Sequence, residues 1–91
     1  MSMKKDAVDM KLHMAVKGLA ILQGEINCNL EEIIKKAKLL QEKEEEGEEA
    51  NHLLEMISDN VNELVDLFKR RKELLNQIEN LKRIQNDLMK E

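Results

Sequence analysis

Apolar residues recur every seven positions from residue 53 to residue 89, and this repeat is the strongest pattern in the chain. Two columns of the repeat have the spacing of the d and a positions of a coiled-coil heptad. The d column holds Leu53, Asn60, Leu67, Leu74, Leu81 and Leu88, and the a column holds Ile57, Leu64, Arg71, Ile78 and Gln85. The pattern therefore predicts a long helix that packs against another helix.

A third column of the same repeat is also mostly apolar. This e column holds Leu54, Val61, Phe68, Leu75, Lys82 and Met89. A stripe three columns wide is broader than the seam between two helices, and it usually contacts more than one neighbour. We therefore expect this helix to pack against more than its partner within one hairpin.

The first half of the chain carries a similar but less regular repeat. Its apolar residues are spaced alternately by four and three up to Ile26, as Val8, Leu12, Ala15, Leu19, Leu22 and Ile26. Beyond Ile26 the apolar spacing changes to Leu30, Ile33, Ala37 and Leu40, which predicts a shifted register.

Two interpretations of this first arm remain open. Gly24 and the sequence Asn29 to Glu32, which has the form of a capping box, allow a break between residues 24 and 29. The favoured interpretation is one continuous helix, kinked at this point.

Residues 41–49 contain no apolar side chain, and we interpret them as the turn of a hairpin. A helical segment with nothing to bury gains no tertiary support, and Gly47 can adopt the left-handed conformation that ends a helix. The chain is therefore predicted to be one module, residues 1–91, with a first arm at about 6–43, an acidic turn at 44–48 and a second arm at about 48–90. The alternative is a single unbroken helix.

Composition supports a helical assembly and excludes several other classes. The 91 residues include no proline and one aromatic side chain, with 42% hydrophobic and 37% charged residues, which is typical of coiled coils. The net charge of −4 disfavours binding to nucleic acid or to an anionic membrane. No apolar run reaches the roughly 18 residues of a membrane span, and the one cysteine, Cys28, forms no internal disulfide. We expect an intracellular protein of the cytoplasm or nucleus that does not bind membranes.

Residues with catalytic or metal-binding chemistry are few and scattered. His13, His52 and Cys28 lack the clustered spacing of a zinc site, and no nucleophile–base grouping or phosphate-binding loop is present. The sequence therefore predicts no enzyme activity, no cofactor, no metal and no small-molecule substrate.

The basic run Lys69, Arg70, Arg71 and Lys72 is the sharpest charge feature. The favoured interpretation is a solvated belt, and the alternatives are a patch for an acidic protein partner or for nucleic acid. The polar residues in the seam columns, Asn60, Arg71 and Gln85, either fix the helix register or lie at the seam edge.

The sequence as a whole predicts an all-α antiparallel helical hairpin that assembles into a coiled coil or four-helix bundle. We expect a non-catalytic interaction or oligomerisation module of a larger complex, which dimerises with itself. The alternatives are a heteromeric adaptor whose partner supplies the missing helices and a nucleic-acid-associated module. The predicted interface residues are Leu19, Leu22, Ile26, Ile33, Leu53, Leu54, Ile57, Val61, Leu64, Leu67, Phe68, Leu74, Leu75, Ile78, Leu81 and Leu88.

Overall fold

Two helices make up nearly all of the protein in the computed structural model, which describes residues 3–90. Helix α1 spans Met3–Glu45 and helix α2 spans Asn51–Met89, and the described residues include no strand. The two helices pack as a hairpin, so the predicted all-α hairpin is confirmed and the single unbroken helix is wrong. Helix α1 is also continuous through residues 24–29, as favoured from the sequence.

The turn is closed by backbone hydrogen bonds around Gly47. The amide of Gly47 donates to the Glu44 carbonyl at 3.0 Å, and the amide of Glu48 donates to the Lys43 carbonyl at 2.9 Å. This pair of bonds is the Schellman motif, which requires a left-handed residue after the helix cap. Gly47 supplies it with a φ of 73°. The chain thus reverses at the position where the sequence predicts a helix end.

Helix α2 begins a little later than the sequence suggests. Its first residue is Asn51, and the Leu54 amide donates to the Ala50 carbonyl at 3.1 Å. The Asn51 side-chain amide donates to Glu49 Oε1 at 2.8 Å. The acidic residues of the turn therefore precede the first helical turn rather than form it.

The chain divides into two compact units, each containing part of both helices. We call residues 1–23 with 69–91 the terminal unit and residues 24–68 the turn unit. In the terminal unit the d and a columns meet in an apolar core. Its buried members are Ala15, Ile78 and Leu81, and Val8, Leu12, Leu19 and Leu74 pack against them.

The turn unit has a seam of different composition. Its buried apolar residues are Ile26, Leu53 and Leu67, of which Ile26 is 1% exposed. Two asparagines, Asn29 and Asn60, are buried in the same seam. Asn29 belongs to α1 and Asn60 to α2, so the two polar side chains meet across the seam.

The predicted register shift after Ile26 is wrong. The covered positions of α1 continue at steps of three and four through Asn29, Ile33, Lys36 and Leu40, whereas Leu30 and Ala37 are exposed. A continuous helix keeps its phase, so the heptad passes through polar residues instead of changing to the apolar ones beside them. The capping-box interpretation of Asn29 is excluded for the same reason, because Asn29 lies inside α1.

Candidate interaction surface

The predicted interface residues separate into covered and exposed groups in the structure. The covered or half-covered group occupies the d and a columns and comprises Leu19, Leu22, Ile26, Ile33, Leu53, Ile57, Leu64, Leu67, Leu74, Ile78, Leu81 and Leu88. The exposed group is the apolar part of the e column, Leu54, Val61, Phe68 and Leu75. Neighbouring residues show the contrast: Leu67 is 4% exposed and Phe68 is 39% exposed. Packing within one chain therefore covers the d and a columns more fully than the e column.

Asn60 is the centre of a polar cluster in the seam of the turn unit. Its amide nitrogen donates to Asn29 Oδ1 and to Glu32 Oε2, each at 3.1 Å. The Lys36 ammonium group donates to Asn60 Oδ1 and lies 3.7 Å from Glu32 Oε2. The Asn29 amide nitrogen is buried and has no acceptor within the described part of the chain. Asn60 thus forms hydrogen bonds with three residues of α1, and it is buried in the seam rather than exposed to solvent at the seam edge.

The other two polar residues of the seam columns also bond to α1. In the terminal unit Arg71 Nη1 donates to Gln23 Oε1 at 3.1 Å, and Gln85 Nε2 donates to Asp9 Oδ1 at 2.7 Å. A hydrogen bond between specific side chains is lost when one helix slides past the other, whereas generic apolar packing is largely kept. These bonds favour one register of α1 against α2.

The turn unit exposes apolar side chains on both helices, beside its seam. We call these six residues the outer face, and they are Leu30, Ile34, Leu54, Val61, Val65 and Phe68. In α1 the covered residues Ile26 and Asn29 are at a and d positions, which puts Leu30 in the e column and Ile34 in the b column. In α2 the e column holds Leu54, Val61 and Phe68, and Val65 is in the b column. The e and b columns lie next to one another on a helix. Apolar side chains on both helices at this one side form a surface that a further helix can cover.

The terminal unit has a shallow apolar groove at the corresponding columns. The groove is lined by Val16, Leu19, Ala20, Gln23, Arg71 and Leu75. Val16 is 49% exposed and Leu75 is 46% exposed, and the small side chain of Ala20 between them in the lining is also exposed. Apart from Leu19, the α1 residues of the outer face and the groove were absent from the predicted interface. These residues could have been predicted from the apolar e and b columns of α1 if its heptad had been continued past Ile26 without a change of register.

Other exposed apolar residues lie outside these columns. Met14 and Ile21, for example, are 65% and 62% exposed at the c column, on the far side of α1. The c column lies on the opposite side of the helix from the e column, so these residues do not extend the outer face or the groove.

The basic run is divided by the helical geometry. Lys69, Arg70 and Lys72 are exposed, whereas Arg71 is half-buried and bonded to Gln23. Three of the four side chains therefore face solvent and are accessible to an acidic partner.

The two units carry opposite net charge. Residues 1–23 and 69–91 contain eleven Lys or Arg against six Asp or Glu, a net charge of +5. Residues 24–68 contain four Lys against thirteen Asp or Glu, a net charge of −9. The modest total of −4 conceals this division, because the charge follows the hairpin units and not the first and second halves of the sequence.

Residues that could carry metal or membrane chemistry are not gathered by the fold. His13, His52 and Cys28 are all exposed, and residues 3–90 contain no group of His, Cys, Asp and Glu placed to hold a metal ion. Neither α1 nor α2, as described, has a segment long and apolar enough to cross a membrane.

Comparison of the chain with protein-family models, with curated proteins and with solved structures finds no match in any of the three. The features of the molecule that bear on its function are therefore the seam, the outer face, the groove and the charge distribution.

Proposed function

We propose that this protein is a non-catalytic protein–protein interaction module that oligomerises through the apolar side chains outside its seam. The observation that carries the proposal is the outer face, where Val61 and Phe68 remain exposed beside a well-covered seam. Exposed apolar residues scattered singly need no explanation, but a set aligned at heptad spacing on two helices indicates a helical partner.

The surface area supports the same proposal. The chain exposes 7290 Å². A monomeric globular protein of 10.6 kDa exposes about 5,500 Å², so the excess is roughly 1,800 Å². A stable interface buries about 800 Å² per partner, which is well within this excess. One further pair of helices is enough to cover the outer face.

The partner that needs no additional component is a second copy of the chain, giving a two-fold dimer and a four-helix bundle. In the main alternative a different helical protein covers the outer face, and the chain is an adaptor subunit of a larger intracellular complex. The nucleic-acid alternative uses Lys69, Arg70 and Lys72, and the positive charge of the terminal unit favours it more than the total charge suggests.

Sedimentation equilibrium over a concentration range of about 1–200 μM tests the proposal directly. We expect a concentration-dependent mass that approaches twice 10.6 kDa. Val61→Asp should give a helical monomer, because it places a charge on the outer face. The matched control Asn80→Asp introduces the same charge at an exposed residue on the other side of α2 from the e column, and it should dimerise like the wild type. A wild-type chain that remains monomeric throughout would rule out self-association.

The same samples separate the nucleic-acid alternative. A labelled duplex or single-stranded oligonucleotide is titrated with the protein at about 50 and 200 mM salt, because phosphate contacts give a steep salt dependence. We expect no binding at the higher salt concentration. Tight binding that Lys69→Ala and Lys72→Ala together abolish would support the alternative instead.

A further inference from the structure

Charge is arranged along the flanks of the apolar surfaces as well as in the two units as a whole. Each e-column residue is followed by an f-column residue, which lies farther round the helix on the outer edge of that surface. In the terminal unit these f-column residues include Lys17, Lys69, Arg83 and Lys90. In the turn unit they include Glu31, Glu45 and Glu55, with Lys38 as the exception.

We infer that the hairpin pairs with a second copy head to tail, so that the turn unit of each copy packs on the terminal unit of the other. This inference rests on the proposed function and adds the identity and orientation of the partner. In this dimer the outer face of each copy packs into the groove of the other copy. The two contacts are equivalent and are related by a two-fold axis.

Electrostatics selects this orientation over the parallel one. In the head-to-tail dimer a unit of charge −9 contacts a unit of charge +5 at both ends of the assembly. In a parallel dimer the two units of charge −9 face each other, as do the two units of charge +5. Like charges brought together across an interface disfavour that pairing, whereas complementary potentials favour association and fix orientation.

The inference also gives a role to the basic run. In the head-to-tail dimer the exposed side chains of Lys69 and Lys72 lie near the two-fold axis, next to the point where the acidic turn unit of each copy begins. The acidic protein partner that the sequence suggested is then a second copy of the same chain. Salt should weaken this dimer, since exposed charges are screened over about 8–10 Å at physiological ionic strength.

Two charge-reversed variants test the orientation. The first, Glu31→Lys with Glu55→Lys, makes the edge of the turn unit basic, and the second, Lys17→Glu with Lys69→Glu, makes the edge of the terminal unit acidic. All four side chains are exposed, so the helix content of each variant should match that of the wild type. At about 50 mM salt we expect each variant alone to dimerise with a Kd at least about ten-fold higher than the wild-type Kd.

Mixing the two variants gives the decisive result. In the head-to-tail mixed dimer one contact is unchanged and the other has both signs reversed, so the mixture should dimerise about as tightly as the wild type. A parallel arrangement predicts the opposite, because each variant alone then has less repulsion and should dimerise more tightly. If the wild type dimerises but each variant alone does so more tightly, the head-to-tail orientation is wrong and the oligomerisation function remains.

A distance measurement checks the orientation without changing the charges that define it. A single spin label at His52→Cys in a Cys28→Ser background reports only the distance between copies. In the head-to-tail dimer the two-fold axis passes near Lys69, where the terminal unit begins on α2. His52 lies 17 residues before Lys69, about 25 Å along the helix. The two labels are therefore about 50 Å apart, on opposite sides of the axis. A distance below about 30 Å identifies the parallel dimer, and the absence of any dipolar signal at a concentration of about 200 μM overturns self-association itself.

Discussion

The terminal unit and the turn unit are built on the same heptad, yet their seams contain different chemistry. The terminal unit buries Ala15, Ile78 and Leu81 together, whereas the turn unit buries Asn29 against Asn60. Apolar side chains contribute more free energy of folding per residue, but their packing is largely kept when one helix slides along the other. Buried polar side chains reduce stability and require one alignment. We therefore expect the terminal unit to contribute more of the stability and the buried asparagines of the turn unit to contribute more to the choice of register.

The largest effect should come from a charge in the terminal seam. Leu74 packs on the apolar core, so Leu74→Asp removes that packing and places a carboxylate there without a partner, at a cost of several kcal/mol. We expect loss of helix content and of cooperative melting, measured by circular dichroism.

The control for this experiment is the next residue. Leu75 is 46% exposed, so Leu75→Asp should keep the helix content of the hairpin while weakening self-association. If both variants melt like the wild type, the assignment of Leu74 to the seam is wrong.

An intermediate effect is expected in the polar seam of the turn unit. Asn60→Leu removes the amide group that donates a hydrogen bond to the buried Asn29 Oδ1 and should lower the free energy of unfolding by about 1–3 kcal/mol. Replacing both asparagines with leucine removes both groups together and should restore or exceed wild-type stability. Urea denaturation of the two single variants and the double variant measures the coupling between the two positions.

The double variant also tests whether the polar cluster fixes the register. We expect it to be stable but to populate more than one alignment of α1 against α2, which broadens the distance distribution between spin labels at Lys35→Cys and Asp59→Cys in the Cys28→Ser background. A narrow distribution equal to that of the same labels with both asparagines present would show that Arg71–Gln23 and Gln85–Asp9 are sufficient.

The smallest effects are expected at the glycines. Gly18→Ala in the terminal unit places a Cβ 3.7 Å from Leu74 Cδ2, an ordinary contact, and Gly24→Ala in the turn unit meets no atom within 4 Å. Each should raise the free energy of unfolding by about 0.5–1 kcal/mol, because alanine favours helix. Gly47→Ala should instead lower it by about 1–2 kcal/mol, because Gly47 has a positive φ. Thermal melts at one protein concentration measure all three, and a stabilising Gly47→Ala would contradict the turn geometry.

The sequence by itself determined the hairpin and most of α2. Its heptad columns from Leu53 to Leu88 predicted the covered side of that helix, and the acidic stretch with Gly47 predicted the turn. These features are local: periodicity sets which side of a helix is apolar, and a left-handed residue ends a helix wherever it stands.

Only the tertiary structure decided which residues of α1 enter the seam and which apolar column stays exposed. From the sequence, Leu30 appeared a better core residue than Asn29, but Asn60 of α2 supplies the hydrogen bond that allows Asn29 to be buried. The partner across the seam lies 31 residues away in sequence, so no local pattern contains it. The charge division has the same origin, because the hairpin joins residues from both ends of the chain into one basic unit and leaves most of the acidic residues in the other.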